Sequence, residues 1–147
     1  MGCSSSINNM EHSNLVKLLI KCTQDIITLI KNYNSLYSIL NNISGQDIIK
    51  SIIIDKKNHI NTLNSMYKLA TGENIILNLN EFACDSYEKE SLINEIINKE
   101  LTLTSSLKNL RFSIPVQNIK YEVNNILIDV NTSVNKLLLL IIKADDN

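Results

Sequence analysis

Residues 49–72 read IKSIIIDKKNHINTLNSMYKLATG. Ile49, Ile52, Lys56, His59, Leu63, Met66 and Ala70 fall in alternating steps of three and four. Such a spacing lays one stripe along one face of an α-helix. Thr71-Gly72 closes the stretch, because glycine accepts the left-handed conformation that ends a helix. Ser44 with Asp47 three residues on resembles a capping box, so the predicted helix runs from about 45 to 71. Five of the seven stripe positions are apolar. The other two, a lysine and a histidine, are adjacent in it and sit near mid-helix.

The same rhythm recurs on both sides. Upstream, Leu15, Leu18, Cys22, Ile26, Leu29, Tyr33, Leu36 and Leu40 form a seam, widened by Leu19, Ile30 and Tyr37, that predicts a helix over 13–42. Residues 1–12 are polar and read as a flexible tail; His12 lies at its frayed edge. Downstream, Asp85 with Glu88 signals another start, and Leu92, Ile96, Glu100, Leu103, Leu107 and Leu110 predict a helix over 86–111. Ser113-Ile114-Pro115 opens a fourth helix, over 114–143, because proline is tolerated in a first turn. Its seam is Val116, Ile119, Val123, Ile126, Val130, Ser133, Leu137 and Leu140. Between 73 and 84 there is no clean period. A lone strand there would have nothing to pair with, so the segment reads as an extended crossover. A dozen extended residues reach about 40 Å, the length of a helix of about 27 residues. The expected fold class is therefore all-α: an up-down four-helix bundle of two helix pairs joined by a central crossover, the ferritin-like plan.

Composition limits the function. The chain has 147 residues, 44% of them apolar, which suits one domain with a real core. Fourteen Lys and Arg against 15 Asp and Glu give a net charge of −1, no footing for nucleic-acid binding. The longest late apolar run, Leu137 to Ile142, falls far short of the roughly 18 residues of a membrane span. No cleavable signal peptide is visible. Three widely spaced cysteines, Cys3, Cys22 and Cys84, argue against a disulfide framework or a cysteine zinc site and suit a reducing compartment.

Several stretches carry a family resemblance. Asp55-Lys-Lys-Asn-His59 runs into Leu63-Asn-Ser-Met-Tyr67 and Thr71-Gly-Glu73. Asn109-Leu-Arg-Phe-Ser-Ile-Pro115, Gln117-Asn-Ile-Lys-Tyr-Glu122 and Asp129-Val-Asn-Thr-Ser133 follow in the second half. With these the chain resembles the ferritin-like, rubrerythrin-like small proteins common in anaerobic Gram-positive bacteria, over nearly all of 13–143. The family carries Asp-Glu-x-x-His at the first and last of these sites. Two iron or manganese ions there take one Glu from each of helices 1 and 3 and a Glu-x-x-His pair from each of helices 2 and 4. Carried over, the helix 1 Glu falls on Ile26, the helix 2 pair on Lys56 and His59, the helix 3 Glu on Glu100, and the helix 4 pair on Val130 and Ser133. Two of six ligands survive, His59 and Glu100.

The resemblance therefore implies a divergent member with a degenerate dimetal site. No metal or other cofactor and no catalytic residue is expected. Lys56 would neutralise Glu100, with His59 completing the cluster through Ser133 or Tyr33; alternatively, Lys56 snorkels to solvent and His59 is an ordinary core histidine. Tyr33, Tyr67 and Tyr121 read as core or groove fillers. The preferred function is a non-enzymatic, cytoplasmic structural or protein-interaction module, with an unknown protein partner or a second copy of itself. The first alternative is an iron or manganese oxidoreductase or iron-binding protein, with missing ligands drawn from Asp25, Asp55, Glu122 or Asp129. The second alternative rests on Met1-Gly-Cys-Ser-Ser-Ser6: Gly2 fits the N-myristoylation pattern and Cys3 beside it is a palmitoylation candidate. That pair would make a membrane-associated, lipid-anchored adaptor, a modification not expected in a bacterium. Asn131-Thr-Ser133 matches a glycosylation acceptor only formally, being inside a helix.

Overall fold

The computed structural model describes residues 2–77 and 88–145, with side chains over 12–77 and 88–143. It is an all-α four-helix bundle: α1 Gly2–Ile39, α2 Ile43–Thr71, α3 Lys89–Ser113 and α4 Gln117–Asp145. The seams read from the sequence form its core. Every seam residue of α3 is buried, as are those of α2 apart from half-buried Ala70. In α1 the seam is buried from Cys22 onward, with Leu19 beside it.

The helix ends differ from expectation in instructive ways. α1 does not begin near Ser13; helical backbone continues through 2–12, the segment whose polarity suggests a tail. No proline interrupts it, and extending a formed helix is far easier than nucleating one. α1 ends at Ile39, three residues early, because Asn42 rather than Ser44 caps α2. Asn42 is extended (φ −113°, ψ 145°), and its Oδ1 accepts from the Gly45 N–H at 2.6 Å. A Cβ on Gly45 would sit 2.7 Å from Asn42 Oδ1 and 3.3 Å from a Leu140 methyl, so glycine lets this corner close against α4. Gly72 ends α2 as the sequence suggests, at φ 78°, its N–H bonded to the Lys68 carbonyl at 2.8 Å.

Glu88 flanks the start of α3 without a side-chain cap bond; Asp85, its expected partner, lies outside the described residues. α3 continues to Ser113, and Ile114–Val116 form the link. Pro115 therefore precedes α4 instead of occupying its first turn. The Val116 carbonyl accepts from the Ile119 and Lys120 N–H groups at 3.2 and 3.1 Å. This explains why Val116, a predicted seam residue, is 48% exposed.

Each helix has two neighbours. α1 packs against α2 and α3, α4 against α3 and, more loosely, α2; the backbones of α2 and α3 do not approach, nor do those of α1 and α4. Cross-links fix the directions. His12 meets Ala70 and Tyr37 meets Gln46, so α1 and α2 are antiparallel. Lys21 meets Ser106 and Tyr33 meets Glu100, so α1 and α3 are antiparallel as well. Ser51 meets Lys136 and His59 meets Asp129, so α2 and α4 are antiparallel too. α2 and α3 thus run in one direction across the diagonal, and Gly72 and Lys89 lie at opposite ends. Past Gly72 the chain turns back along α2, where Asn64 Oδ1 accepts from the Ile75 N–H at 2.9 Å. The rest of the expected crossover, 78–87, lies outside the described residues.

α4 is more apolar than its uninterrupted runs suggest. Residues 117–143 are long and apolar enough to cross a bilayer by length and composition, with a mean hydropathy of 1.4 in the best window. Its inner face packs Val123, Ile126, Val130 and Leu137 into the bundle, while Ile128, Leu138, Leu139 and Ile142 stay exposed.

Candidate functional site

The polar seam positions meet at mid-bundle. Lys56 and Glu100 are both fully buried. The Lys56 ammonium lies 2.7 Å from Glu100 Oε1 and 3.0 Å from Oε2, so one cation spans both carboxylate oxygens. The Tyr33 hydroxyl donates to Oε1 at 3.0 Å. Three helices thus supply one buried cluster, and the lysine stem reaches across a diagonal that the backbones leave open. Lys56 does not snorkel.

Burial pulls the Lys56 ammonium below its ordinary range, and the Glu100 charge and hydrogen bond oppose that pull. The Tyr33 hydroxyl is pushed upward by burial first and by the Glu100 carboxylate second, so it acts as a hydrogen-bond donor rather than an acid. Taking either charge from water alone costs several kcal/mol (roughly). Together, with the tyrosine donor, they satisfy much of each other's need.

His59 goes elsewhere. Its Nε2 lies 2.8 Å from Asp129 Oδ2, and its buried Nδ1 has no hydrogen-bond partner among the described residues. Assigning the proton to Nε2 lets it donate to the carboxylate and leaves a lone pair, not an orphaned N–H, in the interior. The expected partners are both otherwise engaged: Ser133 donates to the Asp129 backbone carbonyl at 3.0 Å, and Tyr33 holds Glu100. Asp129 sits one residue off the α4 seam, about 100° round the helix by the turn of 3.6 residues. Its side chain stays 47% exposed yet reaches His59 across the α2–α4 interface.

The imidazole is held below the ordinary histidine range. Burial is the chief cause; the Asp129 hydrogen bond opposes it, and the Lys56 cation reinforces it. The unfolded chain therefore takes up a proton at higher pH than the folded one, and stability rises with pH through that interval. Stability is expected to fall as pH drops below about 6.5, and His59→Gln should flatten this dependence. Urea midpoints of both proteins at pH 7 and pH 5 check it; equal slopes would remove His59 from the account.

A dimetal centre does not fit these residues. Ile26 and Val130 are fully buried apolar groups, and Ser133 is spent on backbone. An ammonium occupies a ligand position and takes both oxygens of Glu100. Among the described residues, no group of three or more His, Cys, Asp or Glu side chains converges as a metal site. Asp25 pairs with Lys21 at 2.9 Å on the surface and does not replace Ile26. Glu122 is exposed and Asp55 only half-buried. Of the carried-over ligands, only His59 Nδ1 keeps an unengaged lone pair.

The other singled-out residues separate. Cys22 is buried, and its thiol is pushed up to about 12, by burial first and the Asp25 charge second, which leaves it unreactive. Tyr67 packs against the core, but Tyr121 is 66% exposed and fills no groove. His12, set aside in the sequence, has its Nε2 2.7 Å from the Ala70 carbonyl and ties α1 to the end of α2. The side chains of Cys3 and Cys84 lie outside the described residues.

No family model, no curated protein and no solved structure matches this chain.

Proposed function

We propose that the chain is a non-enzymatic bundle on the ferritin-like plan, in which a buried ion pair stands where the related proteins hold metal. On this reading it is a structural or protein-interaction module. The Lys56–Glu100 pair carries the proposal: a cation with two short contacts to one carboxylate is a finished structural element, not a pocket awaiting a ligand. The diagonal placement of the parallel pair α2 and α3 supports the ferritin-like plan, since simple short-looped bundles make consecutive helices neighbours. His59 with Asp129 supports descent from a metal protein. Metal-bound histidines usually donate their second ring N–H to an outer carboxylate, and this pair has that form without the metal.

Metal content decides between this reading and a divergent iron or manganese protein. The protein is purified without chelator, challenged with iron and with manganese, and assayed by elemental analysis and by absorption from 300 to 500 nm. Less than about a tenth of an equivalent is expected, because the ligand set is short of the six such centres use. Near two equivalents, lost in Glu100→Ala or His59→Ala, would replace this reading with the metalloprotein one.

A further inference from the structure

α4 carries two stripes at helical spacing. One is the seam that packs into the core. The other lies opposite it: Asn125, Ile128, Thr132, Asn135, Leu139 and Ile142 follow in alternating steps of three and four, and every one is exposed. Ile128 is 61% exposed, Leu139 52% and Ile142 58%. That spacing is the seam of a two-helix coil, apolar here apart from its polar centre. The neighbours of α4 hold its two edges and leave this face between them. Arg111 of α3 meets Asn124 on one edge; Ser51 and His59 of α2 meet Lys136 and Asp129 on the other. Among the described residues, nothing covers the face.

The charges along the edge next to α2 say what fits it. Glu122, Asp129, Lys136 and Lys143 recur every seven residues, so they form one row beside the stripe. The row reads minus, minus, plus, plus. Against a second copy running the opposite way, the row meets itself with every sign reversed. Glu122 faces the partner's Lys143 and Asp129 faces the partner's Lys136, each contact made twice by the two-fold axis. Against a copy running the same way, the row would meet the other edge, where Asn124, Asn131 and Leu138 carry no charge. We infer that the outer face of α4 pairs antiparallel with the same face of a second copy of this chain. In the register the charges select, Ile128 packs on the partner's Leu139, and Thr132 meets the partner's Asn135 beside the axis. A polar layer at the centre of such a seam fixes register at some cost in stability. The pairing leaves the existing bonds in place: His59 uses one Asp129 oxygen and Ser51 one of the three Lys136 N–H donors. The inference rests on the reading of the chain as an interaction module and names its partner. Metal content and association are measured separately, so either reading can fail alone.

Sedimentation of the full chain from about 1 μM to about 1 mM, the span of moderate to weak affinities, tests it. Wild type should pass from monomer to dimer. Leu139→Glu changes a side chain that is half in solvent, so helicity and urea midpoint should hold. It should associate about a hundredfold more weakly, because each dimer would bury two new carboxylates. Glu122→Lys alone and Lys143→Glu alone should each weaken association about tenfold, since both create like-charged pairs. The two single variants mixed should form a heterodimer, in which every pair is again opposite in sign. Glu122→Lys with Lys143→Glu in one chain should associate as wild type does. Wild type that stays monomeric throughout would overturn the pairing, and binding of that monomer to phosphatidylcholine vesicles would assign the face to a membrane instead. A dimer indifferent to Leu139→Glu would place the contact elsewhere. Single charge variants that dimerise as well as wild type, with no preference for the heterodimer, would overturn the antiparallel register.

Discussion

Glu100→Ala is expected to cost about 3–5 kcal/mol of stability, because it strands a buried ammonium with no counter-charge. Lys56 is wholly enclosed and its two close contacts both go to the deleted carboxylate. The Tyr33 hydroxyl loses its acceptor in the same step. Urea unfolding at pH 7 measures the loss. The variant should regain part of it as pH rises. Lys56 already sits below its ordinary range in the fold, and without Glu100 it must fall further. The folded state then holds fewer protons than the unfolded one, and stability climbs through the interval below the unfolded lysine value, about 10.4. Removing both charges should behave differently. Lys56→Met with Glu100→Leu replaces the pair by side chains of similar volume, which is commonly neutral or stabilising by about 1–4 kcal/mol; Tyr33→Phe is included so that the tyrosine hydroxyl is not left buried without its acceptor, a cost of about 1–3 kcal/mol. A Glu100→Ala loss below about 1 kcal/mol would mean the ammonium escapes to water, and the buried cluster would have no energetic standing.

That contrast bears on what the sequence could reveal. The seams of α2 and α3 were legible because burial follows helical period, and Lys56, His59 and Glu100 stood out by breaking it. The Lys56–Glu100 pairing was legible too, since two opposite charges on inward faces have little else to meet. The partner of His59 was not. Asp129 lies off the seam, and its reach to His59 across the α2–α4 interface is a tertiary contact that the seam pattern does not announce. Helix ends were the least legible, for a local reason: Asn42 and Ser44 are both competent caps two residues apart, and Asn42 takes the role, its Oδ1 accepting from the Gly45 N–H. His12 looked like part of a tail because the residues before it are polar. Its tie to the Ala70 carbonyl is a tertiary contact that no local pattern announces.

Rebuilding the ligand set should convert the bundle into a metal protein. Ile26→Glu, Lys56→Glu, Val130→Glu and Ser133→His, added to native Glu100 and His59, restore the six donors of a dimetal carboxylate centre. All six positions are buried in the native bundle, and the reach of Lys56 to Glu100 and Tyr33 to Glu100 places at least three helices around one point. His59 is already suited to the task, with Nε2 held by Asp129 and Nδ1 unengaged. The rebuilt chain, refolded with manganese or iron, should hold about two equivalents per chain. Its unfolding midpoint should rise with metal concentration, since a ligand that binds only the folded state stabilises it by mass action. Adding Asp129→Ala should weaken metal binding about 10–100-fold, the usual effect of losing an outer-shell carboxylate, while leaving the stoichiometry unchanged. The apo form should be much less stable than wild type, because three new carboxylates then share the interior with Glu100 and no counter-ion. A rebuilt chain that folds but takes up no metal would mean that these positions do not share one centre. The ion pair of Lys56 and Glu100 would then be an original feature of this bundle rather than a successor to metal, and the ferritin-like reading would lose its chemical basis.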